Sequence, residues 1–590
     1  MTTSHVMLGV GLIFVLAVGS QVLASRLHVP PIFVLLPAGF LAGMATSYVN
    51  LHRLLGSAYP PLISLAVAVL LYYSGLNVDL HYLSGPTRRS VFWLVGLGVP
   101  VTAALTAVAA APLLSISAGA AIVLGAVLVL SGPAVVGPLL AMVRPAERLA
   151  RVLTWESNLV IPVGALLAVI AVQIVVESKA GSVLDWVGDA AVSVAIGVAG
   201  GVIGTVLLWL ALRKLALVQT LGTSTQLAVV IVIAGACDVL RSGTGIIAAV
   251  VMGLALANLP GFDIPARLPF LEMPIQLTID VLLVSVAATV TPHELRPLVL
   301  PTLAIVGVMM LVARPAVAFL ATRAAAGLTR RERLFTGCLA PRGVTAAALA
   351  AVLGAQLIRA GAGGAVRILP VTLLAIMLTI VFYGLAAAPA ARLLGVLRSP
   401  RTRPLLVGGD AWVIDLGRTL QLAGLDVLMW AGLERQREQI SQAALQLAPG
   451  ELLASVTADR ADPTGINTVL LLTGEDDFNA LAASVLRHSV GDRVFRLGPP
   501  AGGRGVVAPF TGGDVLFGHA LNRSTLATRY EEGARIVALR ADCDPAASAL
   551  PAGDDLLFLV RSDGRLDPAT RRRTPTPRAG DTVVALRSAS

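Results

Sequence analysis

The sequence predicts a polytopic α-helical membrane protein that carries a soluble α/β domain at its C-terminal end. Of its 590 residues, 56% are hydrophobic and only 13% are charged. The mean hydropathy is +0.83. These values exclude an ordinary soluble enzyme. Apolar runs of roughly 20 residues, long enough to cross the hydrocarbon of a bilayer, recur as far as residue 388 and then stop.

The apolar runs divide the membrane part into about 13 predicted spans. The first run has neither a basic leader nor a small-residue cleavage site, so we interpret it as a retained span. The stretch 223–259 could be divided differently. The spans are predicted near 6–24, 29–48, 60–78, 91–112, 118–143, 152–176, 187–212, 223–240, 243–259, 269–290, 298–321, 334–357 and 366–388.

Positive charge predicts the orientation of these spans. Cytoplasmic loops collect Arg and Lys, and here the basic residues fall in alternate loops. We therefore expect an inner (plasma) membrane protein with its N-terminus outside and its C-terminal domain in the cytoplasm. The net charge of +10 is spread through these loops, which argues against a nucleic-acid partner. The basic residues are Arg26, Arg88, Arg89, Arg144, Arg148, Arg151, Arg213, Lys214, Arg323, Arg330, Arg331 and Arg333.

Two neighbouring spans, 118–143 and 152–176, predict a functional site. The sequence Ser131-Gly132-Pro133 interrupts the first, because proline removes a backbone donor and glycine tolerates unusual dihedral angles. In lipid, irregular backbone survives only where it is buried in protein or lines a cavity. The second span carries Glu156, Ser157 and Asn158. A broken helix beside a membrane-embedded acid is a common ion site of secondary transporters; a kinked packing helix is the alternative.

Three ionisable residues inside the spans are candidates for that site. Arg342 lies within the apolar span 334–357, where a lone arginine is costly and a paired one is tolerable, so we predict a Glu156–Arg342 ion pair. Glu156 could instead complement a helix dipole. Asp280, within span 269–290, is either a titrating carboxylate or an acid satisfied by a hydrogen bond with Thr278.

A shift in composition predicts the domain organisation. We assign 1–398 to the membrane domain and 399–404 to a linker. Strand–helix alternation over 405–503 indicates a Rossmann-like regulatory domain with a parallel sheet, and 504–590 is predicted to be a small β-rich subdomain. Predicted strands are 405–407, 426–430, 468–472 and 493–497, and predicted helices are 411–422, 434–447 and 476–489.

The loop after the first of these strands is a candidate nucleotide site. Gly408 and Gly409 stand where a dinucleotide loop would begin, but the later glycines of that pattern are missing. Trp430 ends the second strand, where a ribose-binding acid would be expected. We therefore expect a nucleotide-free regulatory module and no cofactor. Cys237, Cys338 and Cys543 are too scattered to indicate a disulfide framework or a metal site.

Three membrane segments carry a resemblance to a known family. The segments 129–140, 155–165 and 339–346 are similar to those of NhaP-type monovalent cation:proton antiporters, and so are 242–248 and 381–387. In the tail, 471–480 is similar to the TrkA/RCK-like regulatory domains of potassium transport systems. The resemblance implies inverted repeats, a homodimer, alternating access, and exchange of Na⁺ or K⁺ for H⁺. It implies no enzyme activity, no catalytic residue and no metal beyond the transported cation.

The resemblance also shows what this sequence lacks. Family members carry the cation- and proton-binding Asp where this chain has Ile161, and many carry Asp where it has Gly132. Ser131, Ser157 and Asn158 still offer oxygen atoms. Without a countercharge a bound cation forgoes about 4 kcal/mol at about 4 Å.

Three consequences of this loss are open at the level of sequence. Asp280 could have taken over the role, Glu156 could titrate after leaving Arg342, or exchange could be lost. The corresponding hypotheses are a cation:proton antiporter, a transport-inactive membrane sensor, and a carrier of an anion bound by a freed Arg342.

Overall fold

A computed structural model gives the fold of the chain. It describes residues 3–27, 30–83, 85–143, 145, 147–177, 183–214, 219–259, 268–324, 329–339, 341–396, 403–448, 452, 466–491, 493–498, 514–517, 521–541 and 553–588. Positions 399–402 of the predicted linker, Arg144 and Cys543 lie outside these ranges. The chain divides into two compact units, Met1–Leu397 and Arg398–Ser590. The sequence placed the end of the membrane domain at residue 398.

The described residues of the membrane unit form helices and short connections, and every predicted span corresponds to a helix or to a pair of shorter ones. Among the described residues, 8 helices are long and apolar enough to cross a membrane. The helices are α1 (Thr3–Leu27), α2 (Ile32–Ala45), α3 (Leu51–Leu55), α4 (Tyr59–Leu76), α5 (Gly85–Leu114), α6 (Ala118–Leu128), α7 (Pro133–Val143), α8 (Glu147–Glu177), α9 (Val183–Lys214), α10 (Gln219–Leu240), α11 (Thr244–Ala257), α12 (Leu268–Ala287), α13 (Pro292–Leu295), α14 (Val299–Val308), α15 (Arg314–Ala324), α16 (Arg330–Cys338), α17 (Val344–Arg359) and α18 (Ile368–Leu394).

Among the described residues, two of the predicted spans are interrupted, and the sequence predicted one of these breaks. Helix α6 ends at Leu128 and α7 begins at Pro133, so the predicted break is confirmed. The span 334–357 was predicted to be continuous, and this was wrong, because α16 ends at Cys338 and α17 begins at Val344. Pro341 and Gly343 in this gap are the signal that the prediction overlooked, since both disfavour an uninterrupted helix.

A third span changes its helical pitch. Between α14 and α15 the chain forms a π-helical turn, Met309–Ala313. Such turns insert an extra residue and are frequent at functional sites. Arg314 is the first residue after the turn. Helix α15 packs against α5 and α16, and α8 packs against α5, α6, α7 and α17. The packing therefore places Arg314 and both helix breaks in one region of the unit.

In the described residues, the C-terminal unit contains two sheets. A six-stranded parallel sheet has the order β3-β2-β1-β4-β5-β6, and a four-stranded antiparallel sheet has the order β7-β10-β8-β9. The strands are β1 (Arg403–Val407), β2 (Leu428–Trp430), β3 (Gln446–Leu447), β4 (Ile466–Leu471), β5 (Val494–Arg496), β6 (Asp514–Val515), β7 (Arg535–Arg540), β8 (Asp555–Val560), β9 (Leu566–Pro568) and β10 (Thr582–Arg587). The helices are α19 (Ala411–Leu422), α20 (Glu434–Gln442), α21 (Asp476–Val490) and α22 (Arg523–Glu531).

The parallel sheet matches the predicted strand–helix alternation with two differences. The predicted helix 434–447 is too long, since α20 ends at Gln442 and the chain then forms edge strand β3. The predicted boundary at 503/504 does not separate two folding units. Strand β6 lies beyond it and still extends the parallel sheet, pairing Phe495 with Asp514. One hydrophobic cluster also joins Leu406 of β1 to Phe558 of β8.

Candidate functional site

The two helix breaks of the membrane unit cross, and groups of one break donate hydrogen bonds to carbonyls of the other. The Gly343 amide donates a hydrogen bond to the Leu130 carbonyl at 3.2 Å. Arg342 Nη1 donates to the Val129 carbonyl at 2.9 Å. These carbonyls lie just beyond the end of α6, where the last turn of a helix leaves its acceptors open. The irregular backbone is thus paired inside the protein, as a broken membrane helix requires.

The crossing is close because Gly343 has no side chain. A β-carbon at Gly343 would lie 2.8 Å from the Gly132 nitrogen and 3.2 Å from both Gly132 Cα and the Ser131 carbonyl carbon. All of these are backbone atoms that cannot move aside without separating the two breaks. Gly132 is less confined, since the nearest atom to a β-carbon there is Gly343 Cα at 3.7 Å.

We therefore expect Gly343→Ala to weaken the crossing. Overpacking of a close contact typically costs about 1–3 kcal/mol. The variant should show a lowered apparent melting temperature of the purified protein and reduced transport. Gly354→Ala is the matched control, on the helix α17 that Gly343 precedes, because a β-carbon there meets nothing nearer than 3.8 Å. Equal melting temperatures for Gly343→Ala and Gly354→Ala would contradict this account of the crossing.

Glu156 pairs with Arg314, which corrects the predicted pairing with Arg342. Both terminal nitrogens of Arg314 contact the Glu156 carboxylate, with Nη2 at 2.8 Å from Oε2. Arg314 Nε also donates to the carbonyls of Thr336 and Leu339 at 3.2 Å each. These carbonyls lie at the end of α16, so one guanidinium neutralises the acid and holds the helix break. Sequence reasoning missed Arg314, although it lies inside the predicted span 298–321.

Among the residues that the structure describes, no carboxylate forms an ion pair with Arg342. Its exposed fraction is 4%. Besides the Val129 contact, its backbone amide donates to Thr379 Oγ1 at 3.3 Å. Its Nε is buried and has no hydrogen-bond partner within the described ranges. Both carboxylate oxygens of Glu156 contact Arg314 of helix α15, so Glu156 cannot form a second bidentate pair with Arg342.

A cavity lies between these groups. Its volume is about 30 Å³. Among the described residues, its charged side chains are one glutamate and two arginines, which give it a formal charge of +1. It is lined by Leu94, Gly98, Val99, Thr102, Val129, Ser131, Val136, Leu153, Glu156, Ser157, Val160, Arg314, Leu339, Pro341 and Arg342.

The predicted ion-site residues are only partly brought to this cavity. Ser131 and Ser157 line it, and the Ser157 hydroxyl donates to the Thr154 carbonyl at 2.8 Å. Ile161 lies beside the crossing, with its Cδ1 at 4.0 Å from the position of a β-carbon on Gly132. Pro133, the first residue of α7, and Asn158 are not lining residues.

Asp280 lies elsewhere in the membrane unit. It is 1% exposed. Its Oδ1 accepts a hydrogen bond from Gln276 Nε2 at 3.0 Å, and Oδ2 accepts one from Gln21 of α1. The predicted partner Thr278 instead donates to the Pro274 carbonyl. Asp280 is not among the residues that line the cavity.

In the C-terminal unit, side chains of the protein pack against the candidate nucleotide loop and occupy the space beside it. A β-carbon on Gly409 would lie 2.5 Å from the Gln436 Cβ. Arg523 donates to the Gly474 carbonyl at 3.0 Å and contacts Asp410 at 3.5 Å. The loop containing Gly408 lies beside strand β4, between β1 and β4, where a doubly wound sheet would bind a ligand. Gln436 and Arg523 occupy the approach to it.

The sequence of the membrane unit is similar to those of known antiporters. Residues 11–393 match the family described as sodium/hydrogen exchanger, transmembrane. A K(+)/H(+) antiporter NhaP2 of Shewanella sp. (strain ANA-3) is 26% identical over 396 residues, covering 65% of this chain and 66% of the relative. A K(+)/H(+) antiporter NhaP of Alkalimonas amylolytica is 26% identical over 409 residues, with coverages of 65% and 66%. The chain thus spans 66% of the length of these relatives.

The fold is also similar to that of a solved transporter. The sodium proton antiporter MjNhaP1 from Methanocaldococcus jannaschii, determined at pH 8, superimposes with a TM-score of 0.54. The match has 19% sequence identity and covers 66% of this chain and 100% of that one. This likeness concerns the architecture of the membrane unit.

Proposed function

Because the chain belongs to the sodium/hydrogen exchanger family, we propose that it is a secondary transporter that exchanges Na⁺ or K⁺ for a proton. The observation that carries the proposal is the crossing of two broken helices inside the membrane unit. Discontinuous helices of this kind supply open backbone groups to an ion at mid-membrane. The names of the relatives, K(+)/H(+) and sodium proton antiporters, support the substrate class.

Proton coupling needs a carboxylate that is free to titrate. Glu156 is held by Arg314. Among the described residues, Asp280 is the other acid buried within the membrane helices, and no arginine or lysine there pairs with it. Its two hydrogen bonds come from neutral amides. We propose Asp280 as the group that takes up the proton.

Asp280→Asn is accordingly expected to abolish cation-driven proton flux. An asparagine keeps the size of the side chain and removes only the titrating group. In proteoliposomes with a pH gradient, added Na⁺ or K⁺ should collapse the gradient for the parent protein and leave it standing for the variant.

Glu272→Gln provides the control for this substitution. It makes the same acid-to-amide change on helix α12, at a partly exposed position. Its flux should equal that of the parent. Full flux in Asp280→Asn would overturn the assignment of the proton to Asp280. No gradient collapse in the parent with either ion, from acid to alkaline pH, would overturn antiport itself.

A transport-inactive membrane sensor is the second candidate, and the apolar side chain of Ile161 at the crossing favours it. On this alternative no flux is measured, and the C-terminal unit reports on the membrane unit to a partner. Binding of a ligand or protein to the tail, without flux, would support it.

We further propose a homodimer in the plasma membrane, with the N-terminus outside and a cytoplasmic C-terminal unit that regulates transport. The alternating basic loops support this orientation. The strand order β3-β2-β1-β4-β5-β6 supports a Rossmann-like, TrkA/RCK-like regulatory role for the tail. The crowding of the Gly408 loop by Gln436 and Arg523 supports a module without nucleotide.

A further inference from the structure

Arg342 is buried, with an exposed fraction of 4%, and among the described residues no carboxylate forms an ion pair with its guanidinium. Nη1 of the guanidinium donates to the Val129 carbonyl, whereas the Thr379 hydroxyl accepts from the backbone amide. Within the described part of the chain, Nε has no hydrogen-bond partner. A buried charge is costly unless it is paired and its donors are satisfied. The Arg342 guanidinium therefore has room for a further hydrogen-bond acceptor, and an anionic acceptor would also compensate its charge.

The cavity beside Arg342 has the charge and the size for such an acceptor. Its charged lining consists of Arg342, Arg314 and Glu156, and the glutamate is already bound to Arg314. The remaining formal charge of +1 disfavours a cation and favours an anion. A volume of about 30 Å³ holds about two water molecules, so only a small anion fits.

The surrounding backbone adds to the same field. Helix α7 begins at Pro133 and helix α17 at Val344, and both N-termini adjoin the crossing. Helix N-termini carry partial positive charge and open amide donors, which favour anions. The hydroxyl-bearing side chain of Ser131 also lines the cavity. These features reinforce the charge of Arg342.

We propose that this cavity is a binding site for a small monovalent anion of the chloride class, with Arg342 as its main ligand. The bound anion compensates the positive charge of Arg342, which a carboxylate side chain would otherwise neutralise. The proposal goes beyond cation:proton exchange, because binding of the anion does not require that the protein transport any ion.

The test uses the full chain, purified in detergent, with chloride as the probe. Chloride replaces gluconate at constant Na⁺ and constant ionic strength, and the apparent melting temperature is followed. A ligand that binds the folded state raises this temperature in a saturable way. We expect saturation with chloride in the parent protein, and a half-saturating chloride concentration at least tenfold higher, or no response, in Arg342→Gln.

Two further variants complete the test. Arg359→Gln removes an exposed arginine from the end of helix α17, which follows the break that contains Arg342, and should respond to chloride as the parent does. Ile161→Asp keeps Arg342 and adds a negative charge at the crossing, so it should also weaken the response; this variant decides the matter if Arg342→Gln does not fold. A parent that melts alike in chloride and gluconate, or variants at 342 and 161 that both respond like the parent, would overturn the proposal.

Discussion

Ile161→Asp is expected to raise Na⁺- or K⁺-driven proton flux at least about tenfold over the parent protein. The side chain lies beside the crossing, with Cδ1 at 4.0 Å from a β-carbon position on Gly132. A carboxylate there supplies about 4 kcal/mol toward a cation at about 4 Å with an effective dielectric constant near 20. The cost of burying the new acid reduces this gain, and a net gain of about 1.4 kcal/mol corresponds to one factor of ten.

The control for this gain is Ile161→Asn, which has nearly the same shape but neither charge nor titration. Its flux should stay at the parent level. The double variant Ile161→Asp/Asp280→Asn shows which acid then carries the proton, since flux that survives in it no longer depends on Asp280. Equal flux in the aspartate and asparagine variants, measured by gradient collapse in proteoliposomes, would show that charge at 161 does not limit exchange.

Glu156→Leu is expected to cause the largest loss of stability of any single change at the site. It leaves the Arg314 guanidinium buried without its carboxylate; Glu156 is 5% exposed, and the side chain of Arg314 is 11% exposed. Removing one partner of a buried ion pair costs about 3–5 kcal/mol. The apparent melting temperature of the purified protein should fall accordingly, or the protein should fail to accumulate in the membrane.

The double variant Glu156→Leu/Arg314→Met should recover part of this loss, because it removes the uncompensated charge. Recovery should be incomplete, since Arg314 also holds the carbonyls of Thr336 and Leu339. Arg342→Gln should cost less than Glu156→Leu, because no carboxylate is lost with Arg342. If Arg342→Gln were the more damaging of the two, the pairing of Glu156 with Arg314 would be refuted.

Sequence reasoning located the broken helix but not the geometry around it. The sequence Ser131-Gly132-Pro133 predicts the break in its span, because proline and glycine act on the local backbone. Pro341 and Gly343 also disfavour an uninterrupted helix, but the long apolar run around them predicts a continuous span. Arg314 could have been found as an arginine inside a predicted span, yet its partner could not, since no local pattern relates residues 156 and 314.

Hydrophobicity and its periodicity determined the class of the protein. A long apolar run predicts a membrane span, and short apolar strands that alternate with helices predict a parallel sheet. The membrane helices and most of the parallel sheet therefore follow from local composition. Strand β6 escaped this reasoning because two residues carry no period.

What only the tertiary structure decided is the distribution of charge among residues far apart in the chain. The π-helical turn at Met309–Ala313 and the packing of α15 on α5 and α16 bring Arg314 to Glu156. Within the described part of the chain, that contact leaves Arg342 without a paired carboxylate and gives the cavity its formal positive charge. Pairing between distant charges depends on helix rotation and depth, and these are set by the packing of the whole unit.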